Sequence, residues 1–305
     1  MPLHPALKNL IAQKLAHATV PQWEMPIGQV RDAFARLWTP ALTGDPVVVR
    51  KVEDRPLGRV NARIFLPDGP AQPAILMYFH GGGYVKGGLD ETDAFCRRLA
   101  QSTGRLVASV EYRLAPEHPF PAALDDAYAA TSWAFEHAAQ LGATADSFAV
   151  SGESAGGNLA AVVCLLAKSR QEIAIAHQVL LQPVTDFTLS KPSMVMPATE
   201  CLVPREDLAW YYRQYYGSSG DLRDPRVSPL WAEDVAGLPR ALIIAAEYDT
   251  LRDEAAAYAQ KLRSAGVEMT YSCHAGMIHG FLCMGGLVKE AQQAIDEIAR
   301  FLGRG

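Results

Sequence analysis

Three residues of this chain have the types and surroundings needed to act together on an acyl group. The first is Ser154, at the centre of Gly152-Glu153-Ser154-Ala155-Gly156, a G-x-S-x-G sequence. Phe148 to Ser151 reads as a short apolar strand, and the Ala-, Leu- and Val-rich stretch from Ala155 onward reads as a helix. The serine therefore falls on a strand-to-helix turn sharp enough to strain its backbone and lift its hydroxyl clear of the sheet edge. A hydroxyl is a weak nucleophile at neutral pH and needs a general base. Histidine serves when a carboxylate fixes its tautomer and stabilises the imidazolium. Downstream, Asp249 follows the apolar run Ala241 to Ala246, and His279 lies in Gly276-Met277-Ile278-His279-Gly280-Phe281, beyond the strand-like run Glu268 to Ser272. Both lie where a strand end would present them.

A second constellation is His80-Gly81-Gly82-Gly83-Tyr84, directly after the apolar run Ala74 to Phe79. Acyl transfer builds negative charge on the carbonyl oxygen, and preorganised backbone N–H groups stabilise it without reorganising during reaction. Gly82 and Gly83 are the expected donors, with Gly81 shaping the loop and the N–H of Ala155 completing the hole. His80 is expected to hold this loop and not to act as a base. The tract has no G-x-x-x-x-G-K-[ST] pattern, which argues against a phosphate loop.

Other candidates carry less. Asp253 falls in a helical first turn, where an acid is favoured by the dipole alone. His274 is the rival to His279, His177 should lie at the opposite rim, and His4, His17, His118 and His137 precede the serine. Asp186 follows a neighbouring strand and leads away from it. The five cysteines are odd in number and show no paired-motif spacing, so buried free thiols and a reducing cytoplasm are expected. None of them forms a metal-ligand cluster with histidine, and no cofactor is expected.

The elements that must position these groups follow from periodicity. Residues 1–45 read as helical, with Leu7, Leu10, Ile11, Leu15 and Ala18 on one face and Val30, Phe34, Leu37 and Trp38 on a second. Residues 47–52 and 60–66 read as antiparallel neighbours at a sheet edge. From Ala74, apolar strands alternate with helices (91–102, 124–141, 251–265 and 288–302), which implies a mostly parallel sheet with crossover helices. Residues 186–224 break that alternation. There the aromatic run Trp210 to Tyr216 follows a helix start at Pro204, as expected of an inserted lid packed against the body. The proline-dense loop within Glu111 to Ala127 reads as scaffold under the glycine loop, with Arg113 and Asp125 as a candidate pair.

With 305 residues, 49% hydrophobic and 20% charged, the chain can bury a large core. Its net charge of -5 and lack of a basic block argue against nucleic acid. No apolar run reaches the roughly 18 residues that span a bilayer.

Together, HGGGY, EYRLAPEHPFPAALDDA, GESAGGNLA, DPRVSPL, AEYDTLRDE and GMIHGF closely resemble the bacterial hormone-sensitive-lipase-like carboxylesterases, from about Ala74 to the C-terminus. The resemblance implies an α/β-hydrolase fold, with a core of residues 46–185 and 225–305 and a helical cap from 1–45 and 186–224. It implies Ser154, Asp249 and His279 as the triad and a small-molecule ester of short to medium acyl chain as substrate. Amidase, lactonase and acyltransferase activities, or a non-catalytic receptor, are the alternatives, and a homodimer is left open. Two departures stand out: Glu153 where many members have Asp, a change not expected to touch the chemistry, and Thr250 where Pro is common.

Overall fold

The computed structural model describes residues 1–17, 20–69 and 73–303. Its strands are β1 (Lys51–Leu57), β2 (Val60–Leu66), β3 (Ala74–Phe79), β4 (Leu106–Val110), β5 (Thr144–Glu153), β6 (His177–Leu181), β7 (Arg240–Tyr248) and β8 (Met269–Ile278). They form one sheet in the order β1-β2-β4-β3-β5-β6-β7-β8. The β1/β2 and β2/β4 pairs are antiparallel, and every later pairing is parallel. The helices are α1 (Pro5–His17), α2 (Ile27–Ala35), α3 (Pro40–Thr43), α4 (Asp93–Thr103), α5 (Ala122–Glu136), α6 (Ala155–Arg170), α7 (Arg205–Tyr216), α8 (Arg252–Ser264) and α9 (Glu290–Phe301).

The central strands are continuously apolar because both of their faces are covered. Along β3, Ile75, Met77 and Phe79 join one apolar cluster, while Leu76 and Tyr78 join another on the opposite face. Along β7, Ala241, Ile243 and Ala245 alternate in the same way with Leu242, Ile244 and Ala246. Helix α9 buries Ala291, Ala294, Ile295 and Ile298, one stripe at helical spacing, in the second cluster beside α4. Helix α6 is buried almost all round, and its alanines and glycines let it lie close against β5 and β6.

Several boundaries differ from expectation, each for a local reason. The first strand begins at Lys51, and Val48 is 82% exposed. Its partner β2 ends at Leu66, and Pro67, which has no N–H to donate, offers residues 47–49 no ladder. The helix expected over 124–141 is α5 followed by a 3-10 turn at Ala138–Leu141. On α1, Leu7 and Ile11 are buried but Leu15 is exposed, and Ala18 lies outside the described residues. On the second face Val30 is buried, while Leu37 points to solvent. Cys96, Cys164, Cys201 and Cys283 are buried free thiols, and Cys273 is free but exposed. Among the described residues no helix is long and apolar enough to cross a membrane.

Candidate active site

The parallel register brings the candidate residues to one rim. Phe79 pairs with Gly152 across β3/β5, and Glu153 pairs with Leu181 across β5/β6, so the glycine loop and the serine leave adjacent strands side by side. Ser154 has φ 57° and ψ -117°, a conformation in which L-residues are strained, and it opens directly into α6. A Cβ on Gly152 would collide with the carbonyl of Gly156, and one on Gly156 with the carbonyls of Phe79 and His80. The turn closes only because both positions lack side chains. The Ser154 N–H donates to Leu181 O at 2.9 Å, and its carbonyl accepts from Asn158 and Val184. Asn158 is buried and its amide donates to the carbonyls of Val184 and Val227, at 2.9 and 2.8 Å.

At the far side, Tyr248 pairs with Ile278 across β7/β8, after a shift in register beyond Ala246. The next residue on each strand is Asp249 and His279. Asp249 Oδ2 lies 2.9 Å from His279 Nδ1, and its Oδ1 accepts the N–H of Leu251 at 3.0 Å. Strand β8 runs on to Ile278, well past the expected end near Ser272, so His279 follows it directly. Gln182, just after β6, grips both flanks of this histidine. Its Nε2 donates to Ile278 O at 3.0 Å and its Oε1 accepts the N–H of Gly280 at 2.7 Å. Thr250, the second departure from the pattern, donates its hydroxyl to Val203 O, and its carbonyl accepts from Ser193 Oγ. Both bonds tie the aspartate loop to the segment 186–204.

The glycine loop is fixed from below. His80 stacks on Tyr112 with ring centroids 4.2 Å apart, its Nδ1 lies 2.7 Å from Gly81 O, and the Tyr112 hydroxyl donates to His80 O at 2.8 Å. Burial pulls the His80 pKa down to about 4, against a smaller pull upward from the Gly81 carbonyl, so the ring is neutral and holds the loop. The Ala115 N–H donates to Tyr84 O at 2.9 Å, which places the proline-dense segment beneath the loop. Arg113 pairs with Asp126, not with Asp125: α5 turns Asp126 inward and leaves Asp125 in solvent. Among the described residues the N–H groups of Gly82, Gly83 and Ala155 donate to no protein acceptor.

From above, aromatic rings of α7 seat on the same loop. Tyr215 stacks on Tyr84 at 3.9 Å and Tyr212 on Phe187 at 3.8 Å, and the Tyr211 ring fills the space that a Cβ on Gly83 would need. The aromatic run therefore packs α7 against the glycine loop and Phe187. A cleft of about 620 Å³ lies beside His80, Tyr112 and Arg113, and its lining includes none of Ser154, Asp249 and His279.

Of the weaker candidates, His274 lies 3.2 Å from Glu297 of α9, and His177 begins β6 at the opposite rim. Asp253 accepts the N–H of Ser193 and pairs with Arg252. Asp186 is buried against Trp231 and Lys191.

Sequence reasoning missed two members of the rim. Gln182 gave no motif. Glu153, expected to stand clear of the chemistry, has its Oε1 3.4 Å from His279 Nε2. The signal was available: a carboxylate one residue before Ser154, at the end of a buried strand, faces the same rim as the histidine. Burial raises the Glu153 pKa; His279 opposes that shift and Asp249 adds to it. For His279, burial acts downward, but the charge and hydrogen bond of Asp249 and the charge of Glu153 outweigh it and lift the pKa to about 9. The Ser154 hydroxyl itself makes no hydrogen bond among the described residues.

Residues 76–283 match the model of a family described by the alpha/beta hydrolase fold. A carboxylic ester hydrolase of Mycobacterium tuberculosis, LipN, is 42% identical over 259 residues, covering 82% of this chain and 69% of that protein. An ethyl acetate hydrolase of Pseudomonas putida is 40% identical, covering 79% and 77%. The structure of a hyperthermophilic esterase from the archaeon Pyrobaculum calidifontis superposes with a TM-score of 0.92 at 38% identity, covering 99% and 98% of the two chains.

Proposed function

The chain belongs to the α/β-hydrolase family and is a carboxylic-ester hydrolase, and from that premise we propose that Ser154 is its nucleophile, with His279 as base and Asp249 as orienting acid. Ser154 Oγ attacks the ester carbonyl while His279 Nε2 takes its proton. The oxyanion forms against the N–H groups of Gly82, Gly83 and Ala155, in a loop shaped by Gly81. The alcohol leaves with the proton from His279, and a water deprotonated by the same nitrogen releases the acid. The reading is carried by the 2.9 Å bond from Asp249 to His279 Nδ1, which leaves Nε2 as the free base on the rim that also bears the strained Ser154.

The substrates we propose are esters of short to medium acyl chains, in keeping with the ethyl acetate hydrolase among the relatives. Residues 1–45 and 186–224 form the cap that selects among them, a division supported by the Lys14–Asp207 pair and the Tyr211–Gln22 hydrogen bond. The buried free thiols favour a reducing, cytoplasmic setting. The test is Ser154→Ala with p-nitrophenyl acetate and butyrate. Hydrolysis should vanish while the fold is kept, and activity above a trace would remove Ser154 from the role.

A further inference from the structure

Glu153 is a buried carboxylate beside His279 that the mechanism above does not use. Its Oε1 lies 3.4 Å from Nε2, the nitrogen turned away from Asp249, and the side chains of His279 and Glu153 are only 7% and 11% exposed. Among the described residues no lysine or arginine pairs with this carboxylate and no backbone N–H donates to it. Its other walls are Gly81, where a Cβ would collide with Oε2, and Gly280. A charge in such a place is costly unless an opposite charge faces it, and the imidazole is the group that does.

We propose that Glu153 is a positioning residue of the catalytic histidine, holding the imidazolium from its Nε2 side and so setting the pH at which that nitrogen is free to accept the serine proton. The proposal rests on the assignment of Ser154 and His279 made above. The charged groups facing His279 are Asp249, at the end of β7, and Glu153, at the end of β5. Tyr78, Tyr112 and Cys283 also feel the charge of Glu153, and burial pushes all three well above their ordinary values, so they stay neutral. Glu153 adds to Asp249 in lifting His279 to about 9. An imidazolium cannot take the proton of Ser154, so the second carboxylate moves the acid limb of the kcat/KM profile to higher pH. Removing its charge must move the limb down.

Glu153→Gln keeps the shape and removes the charge. We expect its acid limb to fall by about one pH unit, so that its rate at pH 6, relative to its own plateau, rises about tenfold over the parent's. Glu153→Asp withdraws the carboxylate by one methylene and should shift the limb in the same direction by less. A purely structural role would lower the plateau and leave the limb in place. A second readout does not depend on turnover: titration of ¹⁵N-labelled His279 by NMR in Ser154→Ala, with and without Glu153→Gln, should show the same downward displacement. An unmoved acid limb together with an unmoved His279 titration, in either folded variant, overturns the proposal. If the parent hydrolyses no ester, the assignment of the reaction fails, while the NMR titration still decides whether Glu153 and His279 are coupled.

Discussion

The rim of the sheet and the lid above it are held together by different physics. At the rim, Asp249, His279, Ser154 and Asn158 are each tied by hydrogen bonds to backbone or to one another, at 2.7 to 3.0 Å through groups such as Gln182. Helix α7 is seated on the glycine loop by ring stacks, Tyr215 on Tyr84 and Tyr212 on Phe187, with the hydroxyls of Tyr84, Tyr212 and Tyr215 buried without partners among the described residues, while bonds such as Tyr211 to Gln22 join it elsewhere. Hydrogen bonds fix an atom within a few tenths of an ångström, whereas stacked rings tolerate sliding. Chemistry needs the first kind of support. A surface that accommodates esters of varied shape can use the second.

That contrast can be broken from the rim first. On the proposed mechanism, His279→Ala should lower kcat on p-nitrophenyl butyrate by about 10⁴- to 10⁶-fold and should also lower Tm, because Asp249 and Glu153 lose the opposite charge between them, while His274→Ala should leave kcat nearly intact. The reverse pattern would move the base to His274. Next in size is Gln182→Ala, which strips both flanks of His279 of their partner. It should cost about 1–3 kcal/mol of stability for the stranded groups and about 10- to 100-fold in kcat, read by chemical denaturation and steady-state kinetics. A rim that does not depend on such bonds would keep kcat within twofold.

The lid should answer differently. Tyr212→Ala removes a buried stacked ring and should destabilise the protein by about 3 kcal/mol, with KM changing more than kcat. Tyr212→Phe deletes only an unpartnered hydroxyl and should be neutral or slightly stabilising in a melting experiment. A loss above about 1 kcal/mol would mean that the Tyr212 hydroxyl makes a polar contact after all. The last test is a pH dependence. His279 carries a folded-state pKa of about 9, above its unfolded value of roughly 6.5. Its contribution to stability is therefore complete below that lower value and is lost as pH rises through the folded one. Ser154→Ala should show this as a fall in Tm between neutral pH and pH 9.5, and adding Glu153→Gln should flatten it.

Much of the scaffold was legible because strand and helix leave periodic traces. The run 74–79 is β3 to the residue, since a strand covered on both faces has no choice but to be apolar. Asp249 stands out because it comes soon after the apolar run 241–246, and His279 because it lies in the loop beyond the strand-like run 268–272. What escaped depends on rotation within a turn. Asp125 and Asp126 are interchangeable as letters, yet one step along α5 separates solvent from the Arg113 pair. Residues 47–49 look like a strand, and only the length of the partner shows that nothing pairs with them. Glu153 and Gln182 act through neighbours far along the chain, and no local pattern records that.

Helix α6 begins at Ala155, and its first turn, Ala155-Gly156-Gly157-Asn158, holds no acidic side chain. Carboxylates ordinarily gather at such a position, because the aligned peptide dipoles place about half a positive charge there. The turn leaves that field unspent, and Lys168 and Arg170 complement it at the opposite end of the helix. Sixteen residues of aligned amides therefore point their positive pole at the spot beside Ser154 where an ester oxygen would gain electrons. On the proposed mechanism, the first turn of α6 as a whole, and not the Ala155 N–H alone, is a fixed positive pole for the reaction.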